Sequence, residues 1–300
     1  MKEKTSSIKA HIGMAIAIFF FALISPVGKV VLDYIHPLTL NTLRLLGAAI
    51  CFWITSIFIR EKVAKKDLFL LFFAAVFGTM LNQGLFIIGL SKTNPVHSSL
   101  MTAMAPIMTL LLSALYLKEK ITFNRIGGII IGAFGAGLLI FMNQQEGNHP
   151  NSIWGDILCL SAQLSYAIYL TVFLKLIKKY KPVTISKWLF TYAFTCYFIF
   201  SYKDIQADHL FSLPLEIWIR IFVIAILCTY VTFILMMTAQ KTISPTAIST
   251  YNYFLPLVGA GISVAVGLGT IDYSTILATV LILTGVIIAN KPKHQIKKNK

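Results

Sequence analysis

Two charged side chains stand inside long apolar segments of this sequence, where ionised groups are rare and mark a site by default. Lys29 and Arg44 each lie within about three helical turns of a segment end. Lys29 either serves such a site, extends its ammonium towards water, or pairs with Asp33 one turn along a helix. Arg44 keeps its proton, and it either holds a substrate carboxylate through two parallel hydrogen bonds or bonds to helix carbonyls. Both roles of Arg44 stay open.

Uncharged polar side chains are concentrated in a few of the apolar segments. Such groups either join neighbouring helices, at about 0.6 kcal/mol each, or line a polar cavity. Their concentration favours a cavity, and tyrosine rings beside amides and hydroxyls suit a medium-sized amphipathic solute. The candidate substrate-binding residues are Arg44, Thr79, Asn82, Gln83, Ser98, Thr102, Gln163, Tyr166, Tyr169, Tyr230, Tyr251 and Asn252.

His97 is the candidate titrating group, because imidazole changes its charge near neutral pH; local hydrogen bonding is its other role. No Asp or Glu lies in the middle of an apolar segment, so facilitated transport or exchange is favoured over proton coupling. A membrane enzyme would need a nucleophile with a base or a ligand cluster. Neither an HExxH motif nor clustered cysteines are present, and we expect no enzyme, no cofactor and no metal.

The composition defines the elements that must position these residues. The chain has 300 residues, of which 57% are hydrophobic and 12% charged, with a mean hydropathy of +0.79. Soluble proteins average about 25% charged residues, so this composition predicts an integral membrane protein. The net charge of +15 does not indicate nucleic acid, because Lys and Arg lie between apolar runs, as in the cytoplasmic loops of multi-pass proteins.

The apolar pattern predicts an all-α protein with ten transmembrane helices. About 20 residues are needed to cross the hydrocarbon. Most of the 26 lysines and arginines fall on one side if both termini are cytoplasmic, which predicts that orientation. The predicted spans 1 to 10 cover residues 10–32, 37–59, 67–90, 95–117, 125–142, 152–174, 183–202, 217–237, 244–267 and 272–290.

An internal repeat relates the two halves of the chain. Shifting the sequence by 150 residues superposes Pro95 on Pro245, Ser99 on Ser249 and Pro106 on Pro256, among other identities. Each half then contains five spans, and an odd number forces the second half to enter the membrane from the opposite side. Inverted repeats of this kind are typical of alternating-access transporters.

The repeated prolines predict two bent helices. Pro95 and Pro245 suit helix starts, where the missing N–H costs nothing. Pro106 and Pro256 follow at about 16 Å, near the middle of the membrane, and each removes one helical hydrogen bond. Such bends either serve packing alone or border the substrate cavity; we favour the cavity, because the interruption is symmetric.

The chain resembles the EamA family of the drug/metabolite transporter superfamily. The likeness is carried by FALISPVGKVVLDYIHPLTLNTLRLLGAAI (21–50), GLSKTNPVHSSLMTAMAPIMTLLLSALYLKEKIT (89–122), GGIIIGAFGAGLLI (127–140) and AQKTISPTAISTYNYFLPLVGAGISV (239–264). The resemblance implies two five-helix EamA repeats, at 1–145 and 146–300, and export or exchange of small metabolites, often amino acids. The family's glutamate after span 4 is Glu119, but its counterpart in the second half is Gly269.

We therefore expect a secondary transporter of small metabolites in the plasma (bacterial inner) membrane. The alternatives are a multidrug exporter and a lipid flippase or scramblase. The acidic residue that multidrug exporters usually carry within the membrane is not seen in this sequence. The partners expected are a small-molecule substrate and membrane lipid, without nucleic acid. The glycine stripe Gly128, Gly132 and Gly135 either packs internally or forms a dimer face, so the chain is expected as a monomer or a homodimer.

Overall fold

The computed structural model describes residues 2–116, 123–142, 152–239, 254–268 and 272–289, and within these ranges every regular element is a helix. The α-helices are α1 (Lys2–Ala22), α2 (Ile24–Leu32), α3 (Pro37–Ile59), α4 (Lys65–Ala75), α5 (Asn82–Lys92), α6 (Pro95–Met101), α7 (Ala105–Tyr116), α8 (Phe123–Met142), α9 (Ser152–Val172), α10 (Leu174–Lys179), α11 (Pro182–Ala207), α12 (Leu215–Phe222), α13 (Thr232–Ala239), α14 (Phe254–Ala265) and α15 (Tyr273–Ala289).

Within the described part of the chain, seven helical stretches are long and apolar enough to cross a membrane. They agree closely with predicted spans 1, 2, 3, 4, 6, 7 and 8. Predicted spans 5 and 10 correspond to the described helices α8 and α15, and α14 covers the second part of predicted span 9. The count of ten remains a prediction. The seven stretches are Ala10–Leu32, Pro37–Ile59, Lys65–Lys92, Pro95–Ser113, Ile153–Val172, Pro182–Ala207 and Leu215–Met236.

Proline marks the beginning of several helices. Pro37, Pro95 and Pro182 each occupy the first turn of their helix, where no partner is needed for the missing N–H. In two of these helices the preceding residue forms a cap: Asn94 Oδ1 accepts from Val96 N at 2.7 Å, and His36 Nδ1 accepts from Leu38 N at 3.4 Å. The prolines therefore separate consecutive spans by short turns.

Two spans contain wide π-helical turns that the sequence analysis did not predict. Val76–Leu81 lies between α4 and α5, and Val223–Val231 lies between α12 and α13. Hydroxyl groups reach the displaced carbonyls in the second segment, where Thr229 Oγ1 donates to Ile224 O at 2.8 Å and Thr232 Oγ1 to Leu227 O at 2.9 Å. π-Helical turns are often found at functional sites.

The span that begins at Pro95 is also interrupted. A short 3₁₀ turn, Thr102–Met104, separates α6 from α7, and Pro106 is the second residue of α7. The helix thus changes its hydrogen-bonding pattern just before the proline, as expected where an N–H is missing. Pro256 lies in α14, and Pro245 lies outside the described residues.

The helices pack in well-defined pairs. α3 packs along α11, α5 along α9, α1 along α13, α6 along α14, and α8 along α15. Buried side chains from α3, α4 and α11 form one apolar cluster, and side chains from α2, α3, α5 and the second π-helical segment form another. Large apolar side chains such as Phe58 and Phe123 are mostly exposed, as expected for a lipid-facing surface.

Glycines bring α8 and α15 into backbone contact. A methyl group on Gly135 would lie 2.8 Å from Leu281 Cβ and 2.9 Å from Ile282 N. Gly132 faces Gly285 in the same contact. This part of the glycine stripe packs internally, because the facing helix belongs to the same chain.

We predict that Gly135→Ala lowers the melting temperature of the purified protein. The added methyl group must displace backbone atoms of α15, at a cost of about 1–3 kcal/mol. Gly137→Ala is the matched control, because the same helix leaves open space at Gly137 and alanine favours helix there. Equal melting temperatures for the two variants would contradict the close α8–α15 contact.

Candidate functional site

Arg44 is buried between α3 and the second π-helical segment, and only 2% of the residue is exposed. The Nε atom donates a hydrogen bond to Thr229 Oγ1 at 2.7 Å, and this hydroxyl in turn donates to the Ile224 carbonyl. Among the described residues, no carboxylate lies within ion-pair distance of Arg44 and no acceptor bonds its Nη atoms.

The direction of the Arg44 side chain follows from contacts between the two helices. A Cβ on Gly47 would lie 2.9 Å from Ala225 Cβ, and further along both helices the rings of Phe52 and Tyr230 are 5.1 Å apart. α3 and the second π-helical segment therefore run in the same direction. Arg44 precedes Gly47 but contacts Thr229, which follows Ala225, so its side chain points along the helix and away from the Pro37 end.

The polar candidates of predicted spans 3 and 6 are brought together by α5, α9 and the first π-helical segment. Asn82 Nδ2 donates to Ala162 O at 2.9 Å, and Ser165 Oγ donates to Phe77 O at 2.7 Å. The Tyr169 ring packs on Gly78, where a Cβ would approach it to 2.7 Å. These contacts join helices, and the Asn82 amide N–H is occupied by a backbone carbonyl.

The remaining candidates differ in how fully they are bonded. Thr79, Gln83 and Gln163 are buried, and the Gln83 Oε1 atom has no hydrogen-bond partner within the described ranges. The rings of Tyr166 and Tyr169 lie 6.0 Å apart, as their spacing along α9 predicts. Tyr251 and Asn252 lie outside the described residues.

Hydroxyl groups of predicted span 4 bond mainly to their own helix. Ser98 Oγ donates to Pro95 O at 3.0 Å and Thr102 Oγ1 donates to Ser99 O at 2.6 Å. Ser98 Oγ also lies 3.3 Å from Ser25 Oγ of α2. The remaining candidate, Tyr230, makes a short hydrogen bond through its hydroxyl with Thr55 Oγ1 of α3.

A buried carboxylate stands beside His97. Asp156 in the first turns of α9 has 0% exposure, and its Oδ2 lies 3.4 Å from His97 Nδ1. Thr93 Oγ1 donates to Asp156 Oδ1 at 2.5 Å. Sequence analysis missed Asp156 because it considered only carboxylates in the middle of a span, whereas this one is near a helix start, where a negative charge is favoured.

Lys29 caps a neighbouring helix. Its Nζ atom donates to the carbonyls of Leu90, Ser91 and Thr93 at 3.1, 3.2 and 3.1 Å. These carbonyls lie at and just beyond the end of α5, where helical partners are missing. Neither snorkelling nor an ion pair with Asp33 describes this side chain, and the capping contacts give it a structural role.

Polar contacts also fix the opposite end of predicted span 3. Lys179 Nζ and the Tyr180 hydroxyl both donate to Asp67 Oδ2 at 2.5 Å. The hydrogen bond to Asp67 raises the pKa of Lys179, which lies outside the membrane-spanning stretches. α4 and α5 are thus bonded at both ends to the helices around α9 and α10.

Two further buried groups were missed by the sequence analysis. Asn41 in α3 has 0% exposure, and neither its Oδ1 nor its Nδ2 has a partner within the described ranges. The buried Thr39 hydroxyl also has no hydrogen-bond partner within these ranges. Asn41 could have been found by its spacing, because it lies three residues before Arg44 and therefore on the same helix face. Within these ranges, no three His, Cys, Asp or Glu side chains are grouped to hold a metal ion.

The long apolar helices define an integral, multi-pass membrane protein. Two matches to one family model extend over residues 8–141 and 153–291, and that model describes the EamA-like transporter family. The chain belongs to the EamA-like transporter family, as the sequence resemblance indicated. It is therefore a membrane transporter of small solutes.

Relatives from bacteria, archaea and plants share this similarity. An uncharacterized transporter of Archaeoglobus fulgidus is 28% identical over 60% of this chain and 62% of its own length, less than two thirds of that relative. The uncharacterized transporter YyaM of Bacillus subtilis is 23% identical over 90% of this chain and 91% of its own. The Arabidopsis thaliana protein WALLS ARE THIN 1 is 37% identical over 23% of this chain and 18% of its own.

A solved crystal structure has the same fold. It superposes with a TM-score of 0.62 at 13% sequence identity, and the match covers 99% of each chain. At this identity the likeness concerns the fold alone. It agrees with the helical arrangement of the described residues.

We predict that Asp156→Ala lowers the melting temperature markedly. The substitution removes the hydrogen bond from Thr93 to Asp156 and the carboxylate beside His97, and a hydrogen bond to a charged group contributes about 1.5–3 kcal/mol. Asp33→Ala is the control, because Asp33 is exposed at the end of α2. Thermal unfolding of both variants in the same detergent tests this, and equal melting temperatures would show that the Asp156 contacts are not structural.

Proposed function

We propose that the protein is a secondary transporter that moves small metabolites, amino acids or related amphipathic solutes, across the plasma membrane by alternating access. Membership of the transporter family supports the general class. The finer proposal rests on one observation above the others, the symmetric interruption of two predicted spans by π-helical turns.

The two π-helical segments occupy equivalent positions in the proposed repeat. Val76–Leu81, shifted by the 150 residues of the repeat, falls on 226–231, inside Val223–Val231. The shift of 150 residues was defined by prolines elsewhere in the chain. The matching positions of the two π-helical segments are therefore independent support for the repeat. Broken helices at matching positions in two halves are the expected mark of a transporter's substrate region.

The packing of helices supports the same symmetry. Three of the packed pairs join helices that are equivalent in the two proposed halves, so a shift of five spans exchanges their members. They are α3–α11 (predicted spans 2 and 7), α6–α14 (spans 4 and 9) and α8–α15 (spans 5 and 10). It also converts α5–α9, which joins spans 3 and 6, into α1–α13, which joins spans 8 and 1. The pattern supports two inverted five-helix repeats at 1–145 and 146–300 with ten spans, and the proposal of cytoplasmic termini rests on the distribution of Lys and Arg.

In the proposed mechanism the two halves rock around a cavity near the middle of the membrane. The π-helical segments and the 3₁₀ turn before Pro106 are positions where helix backbone is already interrupted, so bending there breaks few further hydrogen bonds. The candidate residues Tyr166, Tyr169 and Tyr230 lie in or beside these segments, where rings and hydroxyls suit an amphipathic solute. His97 stays a candidate titrating group beside Asp156.

Counterflow in proteoliposomes tests the transporter proposal. Vesicles are loaded with a pool of the twenty proteinogenic amino acids, a trace of labelled pool is added outside, and accumulation is followed without an ion gradient. We expect transient accumulation of label in the loaded proteoliposomes. Proteoliposomes without internal solute and protein-free vesicles should show none. Lipid scrambling without accumulation would support the flippase alternative, and accumulation of cationic drugs alone would support the multidrug exporter.

We also predict that Pro106→Ala slows counterflow more than it lowers the amount of protein in the membrane. Alanine restores the helical N–H and stiffens the helix after the 3₁₀ turn. Pro182→Ala is the matched control, because Pro182 is at a helix start, where the ring has no helical hydrogen bond to remove. Transport per molecule that is the same in both variants would assign Pro106 to packing.

A further inference from the structure

Arg44 is a buried cation to which the described chain supplies no counter-ion. One of its five N–H groups is bonded, from Nε to the neutral hydroxyl of Thr229. The other four, on the two Nη atoms, have no protein acceptor among the described residues. A buried charge without a counter-ion is costly in a membrane protein, so this position favours an anionic ligand.

Asn41 adds a second unsatisfied group on the same helix face. Its amide oxygen and its amide nitrogen are both buried without partners in the part of the chain that the structure describes. Because Asn41 and Arg44 are separated by three residues, they are neighbours on the surface of α3. An amide offers two donors and an acceptor, so Asn41 can bond a carboxylate oxygen and equally an ammonium group.

Within the described ranges the neighbouring hydroxyl of Thr42 is bonded, unlike the Thr39 hydroxyl and the Asn41 amide of the same helix. Thr42 Oγ1 donates to Leu38 O at 2.8 Å and lies 2.8 Å from Ser201 Oγ of α11. This contact joins predicted spans 2 and 7. Asn41 and Arg44 have no comparable arrangement with the described residues, which distinguishes them from Thr42.

We propose that Arg44 and Asn41 form a subsite that binds the carboxylate of the transported solute. The planar guanidinium presents parallel donors that match the two oxygens of a carboxylate. Asn41 lies on the Pro37 side of Arg44, away from the guanidinium, and bonds a second polar group of the same solute at some distance from the carboxylate. This subsite rests on the proposed transport function and assigns the substrate class as carboxylic acids, amino acids among them.

The position of the guanidinium fits a site inside the membrane and not at its surface. The Arg44 side chain points away from the Pro37 end of α3 and meets the second π-helical segment at Thr229, next to Tyr230. Thr229 fixes the Nε edge, which leaves the Nη edge for the ligand. A solute bound there would contact a segment whose backbone is already interrupted.

Matched pairs of solutes test the subsite directly. Each amino acid that accumulates in counterflow is compared with its α-carboxamide, which has the same side chain and ammonium but no carboxylate. We expect wild-type protein to prefer the acid by about tenfold or more and Arg44→Gln to lose this preference. Arg44→Lys, which keeps the charge but not the planar pair of donors, should retain part of it.

Thermal stabilisation in detergent gives a readout that does not depend on transport. L-phenylalanine and 3-phenylpropionate serve as carboxylate probes, with L-phenylalaninamide and 3-phenylpropionamide as their amide counterparts. We expect the carboxylates to raise the melting temperature of wild-type protein and not of Arg44→Gln. Asn41→Leu should weaken stabilisation by L-glutamine, whose side chain carries a second polar group, more than stabilisation by L-phenylalanine.

A matched variant and two inorganic salts separate this subsite from general effects of charge. Arg220→Gln is the matched variant, because Arg220 pairs with Glu216 one turn away on α12, and it should keep the full carboxylate preference. Equal stabilisation by sodium chloride or sulfate, lost in Arg44→Gln, would overturn the carboxylate assignment in favour of an inorganic anion. A wild-type protein that transports acids and amides equally would also overturn it.

The two proposals can fail separately. Absence of counterflow with every solute would contradict the transport proposal, while the stabilisation by carboxylates would still decide the subsite. Should Arg44→Gln not fold, Arg44→Lys carries the comparison. Unchanged carboxylate preference in that variant would overturn the bidentate contact.

Discussion

The need to satisfy every backbone polar group inside lipid controls the rest of this structure. Water is absent from the hydrocarbon, so a helix that departs from the regular pattern must find other partners for its carbonyls. In the second π-helical segment those partners are the hydroxyls of Thr229 and Thr232, each of which bonds the carbonyl five residues earlier. The threonines at these positions therefore stabilise the wide turn.

The same threonine links the interrupted helix to a buried charge. Thr229 donates to a backbone carbonyl and accepts from Arg44, so its hydroxyl uses both of its roles. A valine of the same shape would leave a carbonyl and a guanidinium N–H without these partners. Helix interruption and charge burial in this region are consequently one arrangement, in which the neutral hydroxyl orients the cation but does not neutralise it.

Hydrophobicity and helix-start signals were enough to predict most of the architecture. Predicted spans 10–32 and 37–59 agree with the helical stretches Ala10–Leu32 and Pro37–Ile59, because long apolar runs and prolines at first turns act locally. The π-helical segments were not predictable in this way, since VFGTML and VIAILCTYV have the composition of ordinary apolar helix. Their wide turns depend on contacts such as the Tyr169 ring against Gly78, which join residues far apart in sequence.

The candidate site was predicted only in part for a related reason. Residue types identified Arg44, Asn82 and Tyr230 as polar groups in apolar surroundings, but bonding differs among them. Asn82 is used to hold α9, whereas within the described ranges Arg44 keeps four donors unused and the Asn41 amide, which looked ordinary, makes no hydrogen bond. Whether a polar residue is structural or functional depends on its partners, and partners are a property of the fold.

The distribution of satisfied and unsatisfied groups then indicates which parts of the protein move together. The α4–α5 stretch and the α9–α10 stretch are joined along their length and at both ends, through Asn82, Ser165, Thr93, Asp156, Asp67 and Lys179. Breaking so many buried contacts during each transport cycle would be costly. In the proposed rocking mechanism these helices therefore form one body, and the solute binds beside α3 and the second π-helical segment, where Arg44 has four donors without an acceptor among the described residues. Motion between bodies then requires the bound solute to supply the partners that Arg44 and Asn41 lack among the described residues.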